Sequence, residues 1–279
     1  MIFRKPLLVG LYLWVFFFFC VTSVLRSQTG PAGVGDVTNN KLWLKADGIG
    51  QADGTAVTSW SDASGNGFAF TQGTPAKQPT YKTGILNGQP VVRFDGGDAL
   101  ASTTITSAAG DHTVFGVAHS STATYIFDNT DGARWLAAIH GSGAYWDGAW
   151  KGTAIGNGTT TELLTWVLDD AGSEVFKNGT SYTTGTWDAT SKMGGTQVLG
   201  ARQDQSTQMM TGDIAEWIVY EGALNTAQRT IIENYLAAKY GLTISNDKYG
   251  HQGTHAYEVA GIGYEDGTNF HTAAQSGGM

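Results

Sequence analysis

From Lys41 onward the chain advances in short apolar or aromatic runs, each cut off by Gly, Asn or Asp, and this rhythm limits the fold more than any other feature. Runs at 41–46, 56–60, 90–94, 113–118, 124–127, 133–140, 163–168, 173–177, 197–201 and 214–220 read as strands. β-Branched and aromatic runs with turn signals at such intervals specify an all-β sandwich or barrel. Asn178-Gly179 is the clearest hairpin signal, because both central positions of a type I′ turn take positive φ. Asp95-Gly96 and Asp131-Gly132 mark further turns.

Burial has to hold this fold together. The single cysteine, Cys20, lies in the N-terminal apolar run, so the rest of the chain has no disulfide, zinc–thiolate site or thiol nucleophile. The 41% hydrophobic content is enough to fill a core. A net charge of −8 and only 14% charged residues argue against nucleic acid, which wants a basic face.

Residues 1–28 read as targeting sequence. Arg4 and Lys5 precede an apolar run at 7–25, followed by a polar stretch at 26–29. That layout is an export signal, or an uncleaved N-terminal anchor that would be the only contact with a membrane. Near the other end, Asn225 is placed to cap a helix in which Ile231, Ile232, Tyr235, Leu236 and Lys239 recur at helical spacing. Gly241 is placed to end it in the left-handed conformation. Residues 245–279 differ in character. Residues 258–263 could open another strand with no evident partner, as if a second β domain were cut short.

Several segments together resemble the laminin-G-like, concanavalin A-like domains of bacterial secreted proteins. These are Leu42-Trp43-Leu44-Lys45-Ala46-Asp47, the W-x-D-x-S-G-N-G pattern from Trp60 to Gly67, Pro90 to Gly96 ending in F-D-G, and Lys177-Asn178-Gly179. Gly212 to Tyr220 is similar to the closing strand, with the family's helix after it. The resemblance spans residues 36–244. It implies an antiparallel jelly-roll sandwich with one C-terminal helix, in a secreted or cell-surface protein used for adhesion and carbohydrate binding. Fold alone does not settle function.

The resulting expectation is a non-catalytic module that binds glycans or other surface polymers. The alternatives are a polysaccharide-degrading enzyme and a purely structural spacer. A glycosidase needs two carboxyls about 5–10 Å apart. No E-x-D-x-x-E pattern occurs, and Asp213 and Glu216 have the wrong parity for one face of a regular strand. Trp146 and Trp150 flank a turn at Asp147-Gly148, where exposed rings beside a carboxylate would suit a sugar; aromatics in β proteins also serve the core. Calcium is the cofactor candidate, since it takes carboxylate and carbonyl oxygens. By resemblance Asp213 is the first choice of ligand, and Asp62 with Asn66 a second. The competing roles are a loop cap for Asp213 and an Asx turn for Asp62.

Overall fold

The computed structural model describes residues 29–102, 105–108, 110–122, 124–130, 135–139, 144–146, 149–151, 160–169, 172–185, 193–251, 253–255, 263–264 and 266–271. The export signal expected at residues 1–28 lies outside the described residues. The strands are β1 (Asn40–Lys45), β2 (Ser59–Ser61), β3 (Ala69–Thr71), β4 (Thr80–Leu86), β5 (Gln89–Asp95) and β6 (Leu100–Ser102). Next come β7 (His112–Ser120), β8 (Thr124–Asn129), β9 (Trp135–Ile139), β10 (Ala144–Trp146), β11 (Ala149–Lys151) and β12 (Glu162–Leu168). The last are β13 (Ser173–Lys177), β14 (Thr180–Gly185), β15 (Gln197–Leu199), β16 (Thr211–Glu221), the helix α1 (Thr226–Tyr240), β17 (Gly263–Tyr264) and β18 (Phe270–His271). Among the described residues no helix is long and apolar enough to cross a membrane.

The strands form an antiparallel two-sheet sandwich. One sheet runs β14-β13-β12-β7-β16-β5-β4, with β1 also paired to β16; the other runs β11-β10-β9-β8-β15-β6-β3-β2. The long strand β16 is its spine. Its first residues pair with β5, as in Asp213 opposite Arg93, and its later ones with β1, as in Trp217 opposite Leu44. Between the sheets lies a core holding Trp60, Phe70, Phe94, Phe127, Trp166 and Trp217. Phe127 of one sheet stacks on Trp217 of the other at 5.8 Å between ring centroids, the offset contact that aromatic quadrupoles favour. Gly116 makes room for this ring, because a Cβ there would collide with the Trp217 indole.

A second core lies on the opposite face of the same sheet, where α1 packs over Trp43, Phe115, Ile218 and Tyr220. The helix starts and stops as its sequence dictates. Asn225 Oδ1 accepts from Gln228 N at 3.0 Å, and Asn225 N donates to Gln228 Oε1 at 3.2 Å, a reciprocal capping box. Gly241 closes it at φ 66°. The Asn178-Gly179 turn also has both residues at positive φ, 48° and 74°.

Three features depart from the sequence reading. The strands β3, β4 and β6 were not foreseen: β3 and β6 have three residues each, and β4 is an edge strand with a half-polar pattern and an irregular register between Lys82 and Leu86. The parity argument about Asp213 and Glu216 assumed a regular strand, but β16 shifts register between Ile214 and Glu216. This bulge turns Ala215 and Glu216 to the helix side together, so Glu216 shares that side with Asp213. The tail also supplies its own partner strand, Tyr264 pairing with Phe270.

Candidate functional site

The residues chosen from sequence occupy three separate places. Asp62 Oδ1 accepts from Trp43 N at 2.8 Å and Ser64 N at 2.9 Å, and Oδ2 accepts from Ser64 Oγ at 2.6 Å. Asn66 Nδ2 donates to Asn40 O at 2.9 Å and to Ser64 Oγ at 2.9 Å. The W-x-D-x-S-G-N-G segment is thus a clasp that ties its loop to β1, with Asp62 in an Asx turn.

Asp213 is 2% exposed, and a single guanidinium holds both of its oxygens: Arg93 Nε to Oδ1 at 2.7 Å and Nη2 to Oδ2 at 2.8 Å. Burial opposes the charge on Arg93, yet the carboxylate raises its pKa above the usual arginine value. Among the described residues no group of three or more His, Cys, Asp or Glu is gathered to hold a metal ion.

Asp147 lies outside the described residues. Trp146 pairs with Ala149 and Trp135, whereas Trp150 pairs with Tyr145. The two tryptophans hold neighbouring rows of the ladder.

Beneath the helix is a buried polar cluster. Glu216, 1% exposed, accepts from Trp43 Nε1 at 2.6 Å, Lys239 Nζ at 2.8 Å, Tyr240 OH at 2.8 Å and Tyr235 OH at 3.2 Å. Lys239 also reaches Asp47 at 2.9 Å. Burial pushes Lys239 down, but Glu216 and Asp47 outweigh it and its pKa is raised. Burial first and Glu216 second raise Tyr235 and Tyr240 well above the ordinary phenol range, so both stay donors. With every charge partnered, the cluster is a clamp between α1 and β16.

An open groove of about 440 Å³ lies where the β12–β13 turn, the start of α1 and the tail hairpin meet. Asp169 and Glu174 line one wall, Thr226 and Arg229 another, and Thr268 and Asn269 the third. Each wall is fixed from behind. Asp169 N meets Ser173 Oγ at 2.8 Å, and Gly172 N donates to Asp169 O at 2.6 Å, which closes the turn. Arg229 lies 3.8 Å from the Phe176 ring centroid and donates to Glu233 Oε2 at 2.8 Å. Glu233, fully buried, also accepts from Thr165 at 2.9 Å and Asn246 at 2.6 Å.

The tail docks on the helix start. Thr226 N donates to Asn269 Oδ1 at 3.2 Å, and Asn225 Nδ2 donates to Phe270 O at 3.0 Å. His271, 3% exposed, bonds Gly33 O at 3.1 Å, and burial lowers its pKa. Bonds from Asn269 and Thr268 hold the Asp266 carboxyl well below the ordinary range and shape the turn. The sequence marks the Asn225 cap, but not that the tail brings a third wall to it.

No protein-family model and no curated protein matches the sequence. Solved structures do resemble the fold. A mutant GH54 α-L-arabinofuranosidase soaked with 4-nitrophenyl α-L-arabinofuranoside aligns with 64% of this chain and 50% of its own, at TM-score 0.52 and 14% identity. The binding domain of botulinum neurotoxin serotype D aligns with 74% of this chain and 54% of its own, at TM-score 0.51 and 11% identity. Domain 4 of AbnA, a GH43 extracellular arabinanase from Geobacillus stearothermophilus, in complex with arabinotriose, aligns with 67% of this chain and 94% of its own, at TM-score 0.46 and 18% identity. The chain spans about half the length of the first two. The neighbours are carbohydrate-active or binding proteins with sheet-rich folds, and the likeness at TM-scores above 0.5 places this chain among β-sandwiches.

Proposed function

We propose that this chain is a non-catalytic module of an exported surface protein that recognises glycans or related surface polymers, and that the groove at the start of α1 is its site. The observation that carries this reading is the groove's chemistry: carboxylate, guanidinium, hydroxyl and amide groups converge on one open cleft with aliphatic and aromatic side chains behind them. Sugars need such convergent polar groups for their hydroxyls, and a cleft of this size is ordinary for small ligands. The arabinofuranosidase of like fold, soaked with an arabinofuranoside, supports the class of ligand. So does the resemblance of the sequence motifs to laminin-G-like domains. Screening the chain on a glycan array, then measuring the hits by calorimetry against Asp169→Ala and Glu174→Ala, tests the reading. Retained stability with affinity reduced about tenfold or more is expected. A silent array would favour the structural-spacer alternative.

One observation favours a hydrolase as a second reading: two carboxylates, Asp169 and Glu174, line the same groove. Release of reducing ends from a bound polysaccharide, lost in Asp169→Asn, would establish it. Binding without turnover would dismiss it.

A further inference from the structure

Resting on the glycan reading of the groove, we infer that its ligand carries ammonium groups: the site takes an amine-bearing oligosaccharide in preference to a neutral one and discriminates against uronic, sialylated or sulfated chains. The charges at the cleft decide the preference. Among the described residues neither Asp169 nor Glu174 is in an ion pair, and both line the groove. The one cation among the described lining residues, Arg229, is committed, since Glu233 accepts from it at 2.8 Å while the Phe176 ring covers its face at 3.8 Å. Its charge is therefore compensated from behind, and the face that a ligand meets is negative.

The positive end of α1 does not reverse this. Its Thr226 N–H is taken by Asn269 and its Gln228 N–H by Asn225, so two of its first-turn donors are already held by side chains. An ammonium group is a triple donor with no acceptor, which suits two acceptor-only carboxylates. The sugar hydroxyls would then meet Thr226, Thr268 and Asn269. The chain's net charge of −8 adds long-range attraction for a cationic polymer.

The test is calorimetry with the whole chain against four probes: glucosamine trimer, its N-acetylated trimer, galacturonic acid trimer and trilysine. At low salt the glucosamine trimer should bind about five- to tenfold tighter than the N-acetylated trimer, as two partly screened ion pairs allow. The galacturonic acid trimer should be weakest, and added salt should shrink the gap. In Asp169→Asn/Glu174→Gln, checked for an unchanged melting temperature, the ratio of glucosamine to N-acetylglucosamine affinity should fall toward one. Equal or tighter binding of the galacturonic acid trimer, or a ratio unmoved by salt in the unaltered chain, would overturn the inference and leave the glycan reading standing. Trilysine binding as tightly as the glucosamine trimer would overturn the amino-sugar assignment in favour of a basic peptide. Failure of every saccharide, here and on the array, removes the glycan reading itself.

Discussion

The Arg229 guanidinium lies 3.8 Å from the centroid of the Phe176 ring, while its Nη1 donates to the buried Glu233 at 2.8 Å. This contact joins the helix to β13 and forms one wall of the groove. Its geometry needs a flat cation: the face covers the ring and the edge meets the carboxylate.

Replacing Arg229 with methionine keeps the stem but strips Glu233 of its cation, leaving only the Thr165 and Asn246 donors. A cost of about 2–4 kcal/mol is expected from denaturant melts. Arg229→Lys should recover part of the charge term without the stacking. Equal stability in both variants would show that the wall does not depend on this pair.

A similar loss is expected under the middle of the helix. Lys239→Met leaves Glu216 buried with hydroxyl and indole donors alone, and should cost about 3–5 kcal/mol, whereas Glu216→Leu/Lys239→Met should cost less than the single change. Because the folded pKa of Lys239 is raised, its contribution is present below its ordinary value of 10.5 and is lost as pH rises through the folded value. Alkaline melts of the unaltered chain should therefore steepen above about pH 10.5 relative to the double variant.

Asp213 is expected to act through Arg93. Arg93→Met leaves a 2% exposed carboxylate facing β5 without its partner, at a cost of about 1–3 kcal/mol, reduced because the arginine itself is 44% exposed. With both oxygens taken by the guanidinium, chelator should not move the melting temperature. A chelator-sensitive melt that Asp213→Ala abolishes would instead make Asp213 a calcium ligand.

The sandwich was legible because its core strands are long enough to display their pattern: 173–177 and the Asn225 and Gly241 helix ends coincide with the observed bounds. Three-residue strands such as β3 and β6 carry no periodicity to read. The bulge at Ala215-Glu216 was hidden because alternation presumes an unbroken ladder, and it alone decides that Glu216 faces the helix. The groove was invisible for another reason. Asp169, Arg229 and Asn269 are far apart in sequence and meet only because the tail folds back onto the helix cap.

Two buried groups give opposite acid responses. Burial lowers His112 to about 4, with its ring nitrogens on Gly110 O and Ser107 Oγ. Its stabilising effect is therefore present above 6.5 and lost as pH falls toward 4. Burial, helped by Asp95, raises Asp98 to about 6, so the folded state holds that proton more tightly and gains stability as pH falls from above 6 to below 3.8. His112→Gln should flatten acid destabilisation across pH 6.5–4, and Asp98→Asn should deepen it, each by about 1–3 kcal/mol. Melts across this range check both signs, and slopes unchanged by either substitution would contradict them.

On the proposed function, the groove and not the β10–β11 hairpin is where a saccharide binds. The most direct measurement is amide NMR of the labelled chain titrated with the tightest-binding sugar from the array. Shifts should concentrate at Asp169, Gly172, Glu174, Thr226, Thr268 and Asn269. Shifts confined to residues 144–151, with the groove silent, would contradict it and return the site to Trp146 and Trp150.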